Sequence, residues 1–258
     1  MSLHAGRTTP PARAFPESNA HESVAVDPAA MLPVPTPDER ALLDHAIARF
    51  SAEAGRWAYT QTSRDSGDEG DTVLRFDPSR PDDEQWTPLK LDGKTIDDPH
   101  AIARWRKKRA KQMRERRTLG ELLNADGARV WADEPAALVF ELPLRRDDNY
   151  RFPPETFQVL LRVDKASRSL ARIDVKARES FRVIGIAKVT AAALAVEFEP
   201  VAADYPPLPV RMSGGGSARI LFVRVNGSFA LTRSEFQRVK PYTDRFSVKV
   251  GDLKALDF

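Results

Sequence analysis

The sequence predicts an α+β fold that is mostly antiparallel β: a curved, incomplete barrel of about ten or eleven strands covered by two or more helices. Three observations predict it. After Gly127, segments alternating apolar with polar residues follow one another with only turn-length breaks, as half-wet antiparallel strands do. The first half of the chain holds two stretches of helical period. A long antiparallel sheet with one apolar face twists, curls and needs a cover for that face.

The first 35 residues are rich in Pro, Ala and Ser without an apolar period, which predicts a flexible tail followed by one half-barrel domain over 36–258. The first helix follows TPDER. Thr36 suits the N-cap, Pro37 the first helical position and Glu39 the far side of a capping box. Leu42, Leu43, Ala46, Ile47 and Phe50 then form one stripe through about residue 53, with Arg40, Asp44 and Arg49 off it.

Strand-like segments follow at WAYTQTSR (57–64), TVLRFDPS (72–79) and EQWTPLKLDGK (84–94), the last running into an Asp92-Gly93 turn. A second helix is predicted over 98–117, with Asp98 as N-cap and Pro99 behind it. Ile102, Trp105, Arg109 and Met113 fall on one narrow helical stripe.

In PAALVFELPL, Leu138, Phe140, Leu142 and Leu144 recur at a period of two. TFQVLLRV puts Phe157, Val159, Leu161 and Val163 on one face, with Gln158 and Arg162 on the other. SLARIDVKAR sets Ala171, Ile173, Val175 and Ala177 against Arg172, Asp174, Lys176 and Arg178. FRVIGIAKV, ALAVEFEPV, ARILFVRV and SFALTRSEF continue the series. Asn226-Gly227 predicts a hairpin and SGGGS (213–217) a flexible turn.

Composition narrows the function classes. There are no cysteines, which removes disulfides, thiolate nucleophiles and Cys-rich zinc sites. His4, His21, His45 and His100 lack metal-ligand spacing, and no carboxylate run has the spacing of a calcium loop. No GxSxG elbow or GK[ST] follow-up to the glycines is present. The expectation is a protein that is no enzyme, with no catalytic residue, metal or cofactor. No apolar run reaches the length of a membrane span. Residues 1–30 carry Arg7 and Arg13 without the apolar stretch of a signal peptide, leaving cytoplasmic and envelope locations both open.

Charge is uneven. Nine of the fourteen residues from Arg104 to Arg117 are Lys or Arg. From Asp65 to Asp98 eleven acids face four bases, a local charge of −7, although the whole chain carries +3. An acidic stretch beside a basic one partly cancels the field a polyanion would feel. Arg104, Lys107, Lys108, Lys111 and Arg114 therefore read first as a solvated helix face and next as a contact for an anionic membrane surface. A polyanion-binding module using the basic helix 100–117 is the alternative; zinc-finger spacing and a helix-turn-helix context are both missing.

The segments WAYTQTSR, TVLRFDPSRPDDEQWTPLKLDGK, FQVLLRVDKASRSLARIDVKARESFRV and LAVEFEPV…LPVRMSG resemble the LolA/LolB-like lipoprotein-carrier superfamily. They resemble in particular an uncharacterised proteobacterial group sharing the FDPSRP…W…L…DGK segment, the specific part of a likeness that spans roughly 40–240. The carriers' lid-locking arginine maps onto no position here and is not carried over. The resemblance implies a half-barrel with helices as a lid, a periplasmic location, and a lipid or lipoprotein acyl chain as partner. Candidates for the hydrophobic cavity are Trp57, Tyr59, Leu74, Phe76, Phe140, Phe157, Val159, Leu161, Ile173, Val175, Val196 and Phe198. An acyl chain of about sixteen carbons offers on the order of 12 kcal/mol at about 0.8 kcal/mol per buried methylene, so an apolar cavity can bind without any motif.

Overall fold

Helix α1 (Pro37–Glu53) starts where the capping chemistry places it: Thr36 N donates to Glu39 Oε2 at 2.7 Å, and Glu39 N donates to Thr36 Oγ1 at 3.4 Å. The computed structural model describes residues 32–53, 55–113, 119–146, 153–183, 187–220 and 223–245, and of residues 110–113, 119–120, 187 and 220 the backbone alone. The chain divides between Met31 and Leu32 into two units, of which the second is described.

After α1 come β1 (Trp57–Asp65), β2 (Thr72–Phe76), β3 (Trp86–Leu91) and β4 (Lys94–Thr95). Next are α2 (Pro99–Met113), the short α3 (Leu119–Leu122), β5 (Arg129–Asp133) and β6 (Ala137–Glu141). The chain continues with β7 (Phe157–Asp164), β8 (Ser169–Ala177), β9 (Phe181–Val183), β10 (Ala187–Glu199), β11 (Leu208–Ile220) and β12 (Val223–Arg238).

All twelve strands form one open antiparallel sheet in the order β4-β3-β2-β1-β12-β11-β10-β8-β7-β6-β5, with β9 beside the start of β10. The predicted curved, incomplete barrel with helices is the fold that forms. The chain leaves the middle of the sheet through β2–β4 and returns from the far edge through β5, so its gap lies between β4 and β5. Helices α2 and α3 make that crossing.

α1 packs its predicted stripe onto β7 and β8. Leu43 and Ala46 are fully buried with Phe140, Val159, Leu161, Val163, Leu170 and Ile173, while Leu42, Ile47 and Phe50 flank them. Phe50 meets Phe198 edge to face at 5.4 Å. Off the stripe, Arg40 pairs with Asp44 and Asp126, and Arg49 donates to the carbonyl of Ser167 and the hydroxyl of Ser169. Asp92 and Gly93 both take positive φ (50° and 76°) between β3 and β4, the backbone that an Asp-Gly hairpin turn requires.

On the opposite face of the sheet, charges alternate across strands. Arg162 pairs with Glu134, Arg172 with Asp174 and Glu197, and Arg211 with Glu197 and Glu199. Glu141 is a buried exception, held by Arg178 and by Gln158 Nε2 at 3.3 Å.

Four expectations need correction. Asn226-Gly227 makes no hairpin: it lies inside β12, opposite Ser217 and Gly216, and the ladder runs on to Ile220↔Val223. SGGGS is no turn either but the interior of β11, paired on both sides. Continuous cross-strand pairing outweighs the local turn chemistry in both cases. Tight contact also selects glycine at 214, where a Cβ would lie 2.6 Å from the Phe229 ring and 2.9 Å from the Ala193 carbonyl oxygen. The alternation of β8 is broken by a bulge where Arg162↔Arg172 gives way to Val163↔Leu170, so Leu170 rather than Ala171 enters the core with Ile173. Finally, Pro33 falls within the predicted tail, yet its carbonyl accepts from Val130 N at 2.9 Å, on the side of β5 away from β6. Residues 1–31 lie outside the described residues.

Candidate functional site

Where β1 meets β12 the pairing slips. Ala58 faces Gln237 but Thr60 faces Ser234, so two residues of β12 stand against Tyr59 alone. Glu235 takes φ 54° at this bulge, a backbone that few side chains other than Gly, Asn and Asp adopt. Its carboxylate turns to the outer side, accepting from Thr60 Oγ1 at 2.5 Å and lying 3.7 Å from Arg75. The bulge shifts the parity of the strand by one. Arg233 and Phe236, three apart, therefore line the same inner side.

Around that point lies a cleft of ≈ 230 Å³. Trp57 and Tyr59 of β1, Phe76 of β2 and Phe236 of β12 form its aromatic wall, Phe50 and Glu53 close it from the end of α1, and Leu208 and Pro209 enter from β11. The rings hold one another: Tyr59 lies 5.0 Å from Phe76 and 5.8 Å from Phe236, and Trp57 meets Tyr205 at 5.3 Å. Trp86 extends the cluster, 4.8 Å from Phe76.

Arginines thread this cluster. Arg238 stacks over Tyr205 at 4.6 Å and pairs with Glu53 at 3.1 Å, while Trp57 Nε1 donates to the same Glu53 oxygen at 3.0 Å. The Glu53–Arg238 pair lifts the Arg238 guanidinium above its ordinary pKa, chiefly through that hydrogen bond. Arg233 lies over Tyr59 at 4.6 Å, and its buried Nε has no hydrogen-bond partner among the described residues.

The predicted cavity residues separate into two groups. Trp57, Tyr59 and Phe76 line the cleft. Phe140, Val159, Leu161, Ile173, Val196 and Phe198 belong to the packed core beneath α1, with Val175 at its margin. Phe157 pairs with Phe181 at 5.2 Å, and Leu74 is buried on β2, between β1 and β3. Sequence spacing overlooked Arg233 and Phe236. A signal for the arginine existed: Phe229, Leu231 and Arg233 share one parity in SFALTRSEF, which puts a cation in phase with the dry face.

In α2, Asp98 caps the helix through the amides of His100 (2.9 Å) and Ala101 (3.1 Å). Arg106 donates to the Trp86 carbonyl at 2.9 Å and to Thr87 Oγ1 at 2.7 Å, and Arg109 stacks over Trp86 at 4.4 Å. The basic stretch therefore spends two arginines on seating the helix against β3. Arg104, Lys107 and Lys108 are exposed. The Lys111 side chain and Arg114 lie outside the described residues.

Among the described residues no three His, Asp or Glu side chains are placed to hold a metal ion, and no helix is long and apolar enough to cross a membrane. No protein-family model, curated protein or solved structure matches the chain.

Proposed function

We propose that this chain is a non-catalytic protein of the bacterial envelope, in the periplasm, that holds a lipid or other hydrophobic ligand in the cleft of its half-barrel. The observation that carries the reading is the cleft itself: five aromatic side chains converge on ≈ 230 Å³ between α1 and the β1–β12 ladder. The likeness of the FDPSRP…W…L…DGK segment to the lipoprotein-carrier superfamily supports the same reading.

Volume sets the ligand's scale. The cleft is smaller than the ~300–1,000 Å³ of sites that enclose drug-sized ligands. A short acyl chain, or roughly half of a sixteen-carbon one, gives about 6 kcal/mol at about 0.8 kcal/mol per methylene. Titration with short fatty acids, together with native mass spectrometry after gentle purification, tests the reading. Retention or saturable binding supports it, and a protein that takes up no apolar ligand refutes it.

The exposed Arg104, Lys107 and Lys108 of α2 fit a contact with an anionic lipid surface, where a cargo handler meets headgroups. Charge reversal at Lys107 and Lys108 is expected to abolish sedimentation with anionic vesicles and to leave ligand uptake intact. Salt-sensitive binding to DNA without vesicle binding would favour the polyanion alternative.

A further inference from the structure

Arg233 faces the aromatic cleft half-buried, and a polar atom that loses water without gaining a partner, as its Nε does, is costly. Arg238, further along β12, has Glu53. Arg233 has the face of Tyr59, no ion pair among the described residues and a buried Nε without a hydrogen-bond partner. Because Glu53 and Arg238 cancel, the charge left in the cleft wall is that of Arg233.

The apolar contribution is also insufficient alone. The gain from burying a half-length chain is matched by the freedom that association costs. A guanidinium adds the missing part, since its planar fork pairs with a carboxylate through two parallel charge-assisted hydrogen bonds.

Resting on the containment reading above, we propose that the cleft selects an amphiphilic carboxylate, with Arg233 binding the head and the rings of Tyr59, Phe76 and Phe236 covering the apolar body. The bulge at Glu235 makes this pairing of head and body site, because it places Phe236 on the face that Arg233 occupies.

The test compares decanoate with decanol, equal in chain length and different in charge, by calorimetric titration of the full chain at pH 7 below micellar concentrations. Decanoate is expected to bind at least tenfold tighter than decanol. Arg233→Met is expected to bring the two within about twofold by weakening decanoate alone, and Arg233→Lys to fall between, keeping charge without the fork. Equal affinity of decanoate and decanol for the unaltered protein overturns the assignment while leaving apolar containment standing. Binding of neither ligand overturns both. Acetate supplies the control for head alone, and binding as tight as decanoate would show that the rings take no part, which also overturns the assignment. The decisive comparison uses the unaltered chain and so does not depend on how the variants fold.

Discussion

Glu235 occupies a left-handed backbone that costs an ordinary L-residue about 1–2 kcal/mol, offset here by its contacts with Thr60 and Arg75. Replacing it by Asn or Val removes the charge pair in both cases, but Asn tolerates this backbone and Val does not. Glu235→Val is therefore expected to be less stable than Glu235→Asn by about 1–2 kcal/mol in urea denaturation. Equal midpoints would mean that the bulge carries no strain. Arg233 makes the opposite case. Removing a half-buried guanidinium that has no ion pair among the described residues and a buried Nε without a partner is neutral or favourable to folding, so Arg233→Met is expected to keep or raise the thermal midpoint while its carboxylate affinity falls. A large drop in midpoint would reveal a structural role for the guanidinium. Sequence left this residue in partial view: its parity with Phe229 and Leu231 was legible, whereas the bulge that brings Phe236 beside it depends on which strand lies opposite.

Helix α1 and the long strands β10–β12 behave as elements of different kinds. α1 buries Leu43 completely against the inner side of β7 and β8, so Leu43→Ala is expected to cost about 2–5 kcal/mol. The outer lengths of β10, β11 and β12 form a ribbon with little cover on either side: residues 223–228 are exposed throughout, Val223 at 64%. Its local stability rests on the ladder and on Phe229 lying over Gly214. Gly214→Val is expected to raise amide exchange in the ribbon and leave Val159 and Leu161 protected, as local opening of a lightly packed unit does. Loss of protection across the whole sheet would show instead that the ribbon folds with the core. The capped helices, the Asp-Gly hairpin and β7 were legible because short-range chemistry decides them. SGGGS and Asn-Gly carry turn chemistry but form strand for the converse reason, since their state comes from the partner strands beside them and not from their own preferences.

For the molecule as a whole, the outer ion pairs set a pH response. The N–H of Ser167 holds Asp164 below its ordinary value, the hydrogen bond from Arg162 does the same for Glu134, and that from Arg211 for Glu197. A carboxylate whose folded value is lowered contributes stability above its unfolded value, near pH 4, and loses that contribution as pH falls through the folded one. The urea midpoint is therefore expected to hold from pH 7 to about pH 5 and to drop below about pH 4, with high salt flattening the drop for the exposed pairs. A flat profile to pH 3 would show that these pairs contribute nothing. The sheet's connectivity has a further consequence. Because β1 and β12 join in its middle while the two free edges are linked only through α2 and α3, a break in the backbone beyond Met113 severs no strand from its neighbours. Two separately expressed pieces, one ending there and one beginning at Leu119, should reassemble by zipping Trp57–Asp65 onto Phe229–Arg238 and seating α1 across β7 and β8. The protein would then serve as a split reporter whose halves meet at a seam beside the cleft.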